Sequence, residues 1–407
     1  MPKKRKILLI TSNHISSNPR LVKESECLVK NNFSISVLSF QSLKSLSEFD
    51  TLIAEKNKIK LITIQWFSLK YLVYKPIYKT LRFILNNSKD SVYSKLFFYP
   101  SSLILILRGL FIQCDFIIAH NIPALIAAGF LSKIRNIPFG FDAEDFHRGE
   151  SNTISEKNKN KLIQIENYFL PKSSYITCAS PLIEKECKLL FPTEKFETIN
   201  NVFSSAFIQS SKHNQDSALQ LFWFSQTVGP QRGIEEVIRA LGFLGNKCDA
   251  KLNLLGKVGV EYKSELNRLA AENNVDPLRI NWISTVDPDS IFSIAAKMDI
   301  GLALETKSIY NRNICLTNKI FTYMTSGLAV IATNTDAQQK ILDDFPGFAK
   351  IYQENNFQEL AEIILFWNSN REDLINTKLK SLELAQTTFN WEIEQEKFLN
   401  ILKSSLI

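Results

Sequence analysis

Short apolar runs alternate with amphipathic helical patterns along the whole chain, which is typical of parallel sheets joined by crossover helices. In the first half the pattern predicts strands at residues 6–11, 34–39, 59–64, 115–119, 139–142 and 175–178, with helices at about 19–30, 122–135, 155–170 and 181–190. In the second half it predicts strands at 219–224, 251–255, 279–282, 300–304 and 329–332, with helices at about 233–244, 263–273, 288–297 and 318–326, and helices again beyond 355. The sequence therefore predicts the α/β class, with two Rossmann-like doubly wound domains and a C-terminal helical segment.

The domain organisation follows from the length and from a polar stretch near the middle of the chain. A chain of 407 residues is too long for one ordinary hydrophobic core, and its length fits two domains. Residues around 200–217 are rich in Ser and Asn and show no hydrophobic period. We predict a first domain at 1–200, a linker at 201–217, a second domain at 218–385, and a helix at 386–407 that packs back on the first domain.

Composition narrows the class of protein. Apolar residues make up 45% and charged residues 22%, close to the globular average, which argues against disorder, collagen and coiled coil. Six scattered cysteines without a Cys-x-x-Cys pair indicate neither a zinc ribbon nor a disulfide framework. The apolar run at 7–10 is too short for a signal peptide, and no run of about 20 apolar residues is present to span a membrane. A cytoplasmic protein is expected.

The net charge of +7 is unevenly distributed, because residues 1–200 hold 28 Lys and Arg against 17 Asp and Glu. Residues 66–83 interleave basic and aromatic side chains, namely Trp66, Phe67, Lys70, Tyr71, Tyr74, Lys75, Tyr78, Lys79, Arg82 and Phe83. Such a segment is typical of proteins that settle at an anionic lipid surface. The alternative is a surface helix with snorkelling lysines, and Pro76 interrupts the pattern. No zinc finger, ribonucleoprotein motif or basic recognition helix suggests nucleic acid.

The loop after the first predicted strand does not have the glycine pattern of a dinucleotide site, and no Walker loop is present. The second half offers a different anion site at residues 225–233, which follow a predicted strand and open a helix. Free backbone N–H groups and the guanidinium of Arg232 would favour an anion there. Many α/β loops carry Gly and Arg, so this loop alone is a weak signal.

A second candidate lies at residues 318–332, where a predicted helix ends at Gly327 and runs into a buried strand. Lys319 stands at the positive end of that helix, where an acid would be expected, and this suggests an anionic guest. Glu305 follows the strand predicted at 300–304, a position from which a carboxylate would reach a ligand hydroxyl. The alternative for Glu305 is a solvated loop residue.

Several segments taken together resemble one family of enzymes. They are residues 18–24, 115–121, 225–233, 255–257, Glu305, 318–332 and 389–391, of which Asn-Lys-x-Phe-x-Tyr-x-x-x-Gly from Asn318 is the most specific. Over nearly its whole length the chain resembles the retaining GT-B glycosyltransferases of the family 4 type. The resemblance implies an enzyme that moves a sugar from a nucleotide diphosphate donor to a hydroxyl acceptor, without a metal or another cofactor.

The resemblance also implies roles for individual residues. The catalytic candidates are His120, beside the reacting carbon, and Glu305, which would contact the transferred sugar. The donor-binding candidates are Gln226, Arg232, Gly233, Lys257, Asn318, Lys319 and Thr322. The acceptor-side candidates are His14, Arg20, Asp142, Glu144 and Asp145. Alternative interpretations are that His120 caps the helix starting near Asn121 and that the acids at 142–145 are a loop with caps.

Three departures from the family pattern leave the function open. Thr322 stands where a second glutamate, the usual ribose ligand, is expected; Gln226 replaces a frequent arginine; and the first glycine-rich loop is missing. We therefore predict a retaining hexosyltransferase with a lipid-linked or surface-polysaccharide acceptor, involved in polysaccharide biosynthesis and peripheral on the inner membrane face. The alternatives are a nucleotide-sugar 2-epimerase of the same fold, or a sugar-binding relative that has lost catalysis.

Overall fold

The computed structural model describes residues 4–68, 98–209 and 218–406, together with residues 74, 76, 79, 80 and 83. The chain divides into two compact units. The first comprises Met1–Ile199 and Gln395–Ile407, and the second comprises Asn200–Glu394. Each unit is built around its own parallel sheet, so the fold class predicted from the alternating pattern is confirmed.

The first sheet has seven strands in the order β3-β2-β1-β4-β5-β6-β7. They are β1 (Lys6–Thr11), β2 (Ser34–Gln41), β3 (Lys60–Gln65), β4 (Phe116–His120), β5 (Phe139–Ala143), β6 (Ile176–Cys178) and β7 (Phe196–Thr198). The helices of this part of the chain are α1 (Pro19–Lys30), α2 (Ser47–Lys56), α3 (Pro100–Gly109), α4 (Ile122–Arg135), α5 (Glu156–Phe169) and α6 (Pro181–Leu190). β4 and β5 are buried along their full length, as expected for central parallel strands covered on both faces.

The second sheet has six strands in the order β10-β9-β8-β11-β12-β13. They are β8 (Leu219–Val228), β9 (Ala250–Val258), β10 (Ile280–Ile283), β11 (Ile300–Ala303), β12 (Ala329–Thr333) and β13 (Ala349–Tyr352). The helices between them are α7 (Ile234–Leu244), α8 (Val260–Glu272), α9 (Ser290–Ala295), α10 (Tyr310–Ile314), α11 (Asn318–Thr325) and α12 (Asp336–Asp344). Three more helices follow, α13 (Phe357–Ser369), α14 (Arg371–Thr387) and α15 (Trp391–Ser405).

The C-terminal end of the chain belongs to the first unit, although α15 begins in the second. Phe398 and Leu402 on this helix are fully buried. At its end, Arg5 Nη1 donates a hydrogen bond of 2.5 Å to the carbonyl oxygen of Leu406. The first unit is therefore assembled from both ends of the sequence.

The predicted strands occur at or close to their expected positions, but β7 and β13 were not predicted, and β8 and β9 extend beyond their predicted ends. Residues 225–228, predicted as a loop, belong to β8, which continues to Val228 with an irregular register between Phe224 and Thr227. β9 extends equally far and pairs with this end, and Gly256 makes the pairing possible. A Cβ on Gly256 would lie 2.2 Å from the carbonyl oxygen of Ser225, and its φ of +148° suits glycine. The anion-binding loop therefore starts at Gly229.

The strand order reverses between β1 and β4 in the first sheet and between β8 and β11 in the second. Ligands of open parallel sheets bind outside the carboxyl ends of the strands at such switch points. His120 is the last residue of β4, and Glu305 lies two residues beyond the end of β11. Both predicted catalytic residues therefore lie at a switch point of their own sheet.

The predicted membrane segment is only partly described. Lys70, Lys75 and Arg82 lie outside the described residues, whereas Lys79 and Phe83 are helical and exposed. Residues 210–217, the second part of the predicted linker, also lie outside them. Within the described ranges, no helix combines the length and the apolar character needed to cross a membrane.

Candidate functional site

The first unit contains a group of ionisable side chains at the carboxyl ends of β4 and β5, which we call the strand-end cluster. Its members are Arg20, Glu24, His120, Asp142 and Glu144. Arg20 and Glu24 lie one turn apart on α1, so both project from the same face of that helix. All members are buried except Glu144, whose side chain is 26% exposed.

Arg20 and Asp142 form the best-defined ion pair of the strand-end cluster. Arg20 Nε donates to Asp142 Oδ2 at 2.8 Å and Arg20 Nη2 donates to Oδ1 at 2.6 Å, which is the bidentate fork geometry. Arg20 Nη1 donates to the carbonyl oxygen of Ile199, and the Thr177 hydroxyl donates to Asp142 Oδ1. Burial alone would raise the pKa of Asp142, but the Arg20 guanidinium holds it far below its usual value.

His120 is fully buried and faces carboxylates on both sides of its ring. Nε2 lies 3.1 Å from Glu24 Oε2, an ion-pair distance without the direction of a good hydrogen bond. Nδ1 lies 3.1 Å from Glu144 Oε1 and 3.3 Å from Asp142 Oδ2. Burial would lower the pKa of His120, yet the surrounding carboxylates, Glu24 first, raise it well above its usual value. Glu24 was missed in the sequence, where its only signal was its spacing from Arg20.

The cap of α4 is made by the residue after His120. The Asn121 side chain accepts from the backbone N–H of Ala124 at 3.3 Å, so the interpretation of His120 as a helix cap is wrong. The role of His120 beside a reacting carbon stays a prediction. In this structure its ring joins α1 to the ends of two strands.

His14, predicted on the acceptor side, is held by the protein through both ring nitrogens. Nε2 accepts from the backbone N–H of Leu43 at 3.0 Å, so Nδ1 carries the proton and donates to Asp50 Oδ2 at 2.7 Å. Glu144 is the acceptor-side residue that reaches both the surface and the cluster. It accepts from Asn18 Nδ2 at 2.5 Å, and Asp145 beside it is half-buried.

Glu24, His120 and Asp142 place their ligand atoms within 4.8 Å of one another, close enough to be considered for a metal ion. The fork from Arg20 occupies both oxygens of Asp142, and its positive charge would oppose a cation at the same carboxylate. This set of groups therefore suits a proton better than a metal.

In the second unit, Glu305 and Lys319 form a buried ion pair between the end of β11 and the first turn of α11. Lys319 Nζ donates to Glu305 Oε1 at 2.8 Å, and both side chains are less than one tenth exposed. Lys319 also lies over the Trp223 ring, 5.7 Å from its centroid. Glu305 thus supplies the negative charge expected at this helix end. Lys319 therefore does not by itself require an anionic ligand.

Three neighbours that the sequence did not indicate hold Glu305 in place. The Thr317 hydroxyl donates to Glu305 Oε1 at 3.2 Å, and Thr333 Oγ1 accepts from the Glu305 backbone N–H at 3.0 Å. Burial would raise the pKa of Glu305, but Lys319, with a smaller contribution from Arg312, lowers it below its usual value. Glu305 is therefore a fixed anion and not a solvated loop residue.

The loop after β8, at which an anion site is predicted, approaches this ion pair through a glycine. Gly233 has a φ of +76°, and a Cβ there would lie 2.8 Å from the Cβ of Leu304, next to Glu305. In the described part of the chain, the side chains of Arg232, Gln226 and Lys257 make no hydrogen bond or ion pair. Gln226 and Lys257 are exposed and Arg232 is half-buried. The second unit thus has two cations without an ion pair, Arg232 and Lys257, and one cation, Lys319, that is paired.

Thr322 stands where the second glutamate is expected, and Asn313 follows Glu305 by eight positions, close to the usual spacing of the two family glutamates; both side chains make hydrogen bonds within the protein. Thr322 is 2% exposed, and its hydroxyl donates to the carbonyl oxygen of Asn318 at 2.9 Å. Asn313 exchanges two hydrogen bonds with Asp336 at the start of α12. Neither residue replaces the missing carboxylate in this structure.

Solved structures share this architecture over almost the whole chain. HepE from Anabaena, in complex with UDP and glucose, matches 98% of this chain and 100% of its own at 15% identity and a TM-score of 0.72. Sucrose-phosphate synthase from Thermosynechococcus elongatus matches 98% of this chain and 99% of its own at 12% identity and a TM-score of 0.72. The chain has the GT-B fold.

The GT-B fold is shared by proteins of more than one activity. A candidate UDP-N-acetylglucosamine 2-epimerase from Listeria monocytogenes matches 99% of this chain and 96% of its own at 13% identity and a TM-score of 0.59. No family model and no curated protein matches the sequence. The GT-B architecture therefore fixes the strand ends at which a ligand would bind, while the residues there have to indicate the chemistry.

Proposed function

We propose that this protein is a retaining glycosyltransferase that moves a sugar from a nucleotide diphosphate donor to a hydroxyl acceptor. The observation that carries the proposal is the buried Glu305–Lys319 pair, together with an unpaired Arg232 on the loop whose Gly233 packs against Leu304, the residue before Glu305. The pair offers a fixed carboxylate for a sugar hydroxyl. The unpaired cation remains available for phosphate.

The chemistry follows from where charge develops. As the glycosidic bond breaks, negative charge grows on the diphosphate leaving group, and preorganised cations stabilise this charge more in the transition state than in the ground state. Arg232 and Lys257, with the free N–H groups at the start of α7, supply this stabilisation without a metal. Gln226, Gly233, Asn318 and Thr322 complete the proposed donor side.

The structural neighbours support a nucleotide-sugar donor. HepE was crystallised with UDP, and also with UDP-glucose. We extend this to the present chain as a uridine diphosphate sugar. His120 and the acids Asp142, Glu144 and Asp145 form the proposed acceptor side of the first unit, with His14 and Arg20 as supports.

The donor grip is tested by titrating UDP and uridine into the Arg232→Ala variant. Loss of a charge-assisted fork should cost roughly 1.5–3 kcal/mol of UDP affinity while uridine binding hardly moves. Arg239→Ala, an exposed arginine on α7, is the matched control. Equal losses for UDP and uridine would show that Arg232 does not contact phosphate.

The role of Glu305 is tested by turnover. Glu305→Gln should depress sugar transfer more than it weakens UDP binding, because its carboxylate acts on the sugar. Glu362→Gln, at an exposed position of α13, serves as the control. Unchanged turnover in the Glu305 variant would leave it with a structural role only.

The acceptor is proposed to be a glycan or lipid-linked sugar of polysaccharide biosynthesis, reached at the inner face of a membrane from the cytoplasm. Lys79 and Phe83, both exposed, belong to the basic aromatic segment that would make the contact. Changing Lys70, Lys75, Lys79 and Arg82 to Glu together should abolish sedimentation with anionic liposomes at low salt. Binding that ignores both salt and these residues would contradict the electrostatic proposal.

An epimerase is the second candidate, favoured by the missing carboxylate at Thr322 and by the epimerase neighbour. Incubation with UDP-N-acetylglucosamine and no acceptor separates the two functions. Appearance of the 2-epimer identifies an epimerase, whereas slow hydrolysis to UDP alone fits a transferase.

A further inference from the structure

The strand-end cluster encloses a histidine whose two ring nitrogens both face carboxylates. Arg20 is occupied by Asp142, which leaves His120 between Glu24 on one side and Glu144 on the other. A neutral imidazole carries one N–H and one lone pair, so it can donate a hydrogen bond to only one of two ionised carboxylates, Glu24 or Glu144. One more proton is needed for both ring nitrogens to share a hydrogen with the carboxylate that each one faces.

Two arrangements supply that proton equally well. Either His120 is an imidazolium between two carboxylates, or Glu24 is protonated and donates to Nε2 while Nδ1 donates to Glu144. Both arrangements contain the same number of protons, so the Glu24–His120 pair titrates as a unit. With the proton the five groups of the cluster carry one net negative charge, and without it they carry two.

Among the described residues, the cation that acts most strongly on the pair is Arg20 from α1, and Arg20 is already bound to Asp142. From β5 and the residues after it, the pair is faced by the carboxylates of Asp142 and Glu144. The Tyr175 hydroxyl, just before β6, is buried and makes no hydrogen bond within the described residues. Each extra buried negative charge is costly unless it is paired, so the proton is retained.

The backbone next to the histidine is also held in place. Asn121 has φ 73° and ψ 163°, a region that residues other than glycine avoid. Its side chain accepts from the Ser12 hydroxyl at 2.9 Å and donates to Thr11 Oγ1 at 3.1 Å. The end of β4 therefore cannot relax to move the ring away from its carboxylates.

We propose that Glu24 and His120 hold one shared proton throughout the neutral pH range, and that Glu24 is thereby a positioning residue. Glu24 does not touch the surface. Through His120 it fixes Glu144, the member of the cluster that reaches the surface. That Glu144 then meets an acceptor hydroxyl rests on the proposed function, whereas the shared proton does not.

The proton is measured directly by NMR of protein with 15N-labelled histidine rings. The sequence has four histidines, and His120→Gln identifies the signal of His120. In the wild-type protein the His120 ring should not lose its proton between about pH 6 and 8, where an ordinary histidine does. In Glu24→Gln, removal of the negative charge should lower the pKa of an imidazolium at His120 by about 1 to 3, whereas a ring that is already neutral should stay neutral, because the Gln amide donates to Nε2 as a protonated Glu24 would.

Glu26→Gln is the matched control, because Glu26 lies on the same helix and pairs with Lys30 at the surface. It should leave the His120 titration unchanged. Ordinary titration of His120 between about pH 6 and 8 in the wild-type protein overturns the proposal, as does a wild-type imidazolium whose titration is unchanged in Glu24→Gln. If the Glu24 variant does not fold, the wild-type titration still decides. Neither measurement uses sugar transfer, so failure of the proposed function would not alter the result.

Discussion

The two units place charged residues at equivalent points of their sheets but leave them in opposite states. In the first unit, Arg20 is matched to Asp142, and His120 lies among carboxylates, all away from water. In the second unit, Lys319 is matched to Glu305, but Arg232 makes no ion pair within the described residues. In the first unit the charged groups are paired with one another and buried, whereas the second unit has a cation that is not paired.

This difference shows that two similar folds can use charged residues for different purposes, one for structural order and the other for ligand binding. A closed cluster contributes order: it fixes α1 against the ends of β4 and β5 and leaves one carboxylate, Glu144, partly exposed. Spare positive charge contributes binding, because a phosphate can satisfy it. We therefore expect substitutions in the first cluster to act mainly on folding, and substitutions of the spare cations to act mainly on ligand affinity.

The largest effect is expected for Arg20→Ala. It would leave Asp142 buried without its cation, and breaking a buried pair in this way costs roughly 3–5 kcal/mol. Urea unfolding followed by circular dichroism gives the free energy of unfolding. Arg268→Ala, which removes an exposed partner of Glu272, should cost about 1 kcal/mol or less. Equal losses in the free energy of unfolding for the two variants would mean that the Arg20–Asp142 pair behaves like an exposed ion pair.

Lys319→Met is expected to cost about 3 kcal/mol, the lower end of the same range, because Thr317 and Arg312 still face Glu305. The double variant Lys319→Met with Glu305→Gln should recover most of this free energy of unfolding, since no buried charge remains. The same urea experiment measures both. A double variant as unstable as the single one would show that packing of Lys319 against Trp223, and not charge, is responsible.

The smallest effect concerns His147, a second histidine of the first unit, whose side chain is 10% exposed. Burial would lower its pKa, but the hydrogen bond to Glu150 raises it to about 9. A raised pKa stabilises the folded state below about pH 6.5, and this contribution is lost as the pH rises through 9. Because Glu150 is nearly half exposed, the contribution should be under about 1 kcal/mol.

Glu150→Gln should remove this dependence on pH. Thermal unfolding at pH 6 and pH 10 measures it, and the variant should lose less stability over that interval than the wild-type protein. Glu26→Gln should behave like the wild-type protein. A variant that keeps the full pH dependence would assign it to another group.

Strands and the residues at their ends could be predicted because burial on both faces leaves continuous apolar runs in the sequence. His120, Asp142 and Glu305 were found in this way, each at or just after such a run. The end of β8 was missed because Ser-Gln-Thr is polar and resembles a loop, and pairing with β9 overrode that local preference.

Contacts made by loops and across helix faces could not be predicted. Thr317 and Arg312 lie around Glu305 because of the path of residues 306–317, whose sequence shows no regular hydrophobic period. Glu24 is buried because it faces His120, almost a hundred residues away in the sequence. Single-sequence patterns record which face of an element is apolar, but not which polar groups meet at its end.

The hydrogen bond from Arg5 to Leu406 has a consequence for the order in which the protein forms during synthesis. Domains usually fold as the ribosome completes them, the N-terminal one first. Here the first unit needs residues 395–407, which are made after the whole of the second unit, whereas the second unit is contiguous at Asn200–Glu394. The second unit can therefore fold before residues 395–407 have been translated, and the first has to wait for them. A stop codon just before residue 395 would deprive the earlier-made unit, not the later one, of part of its core.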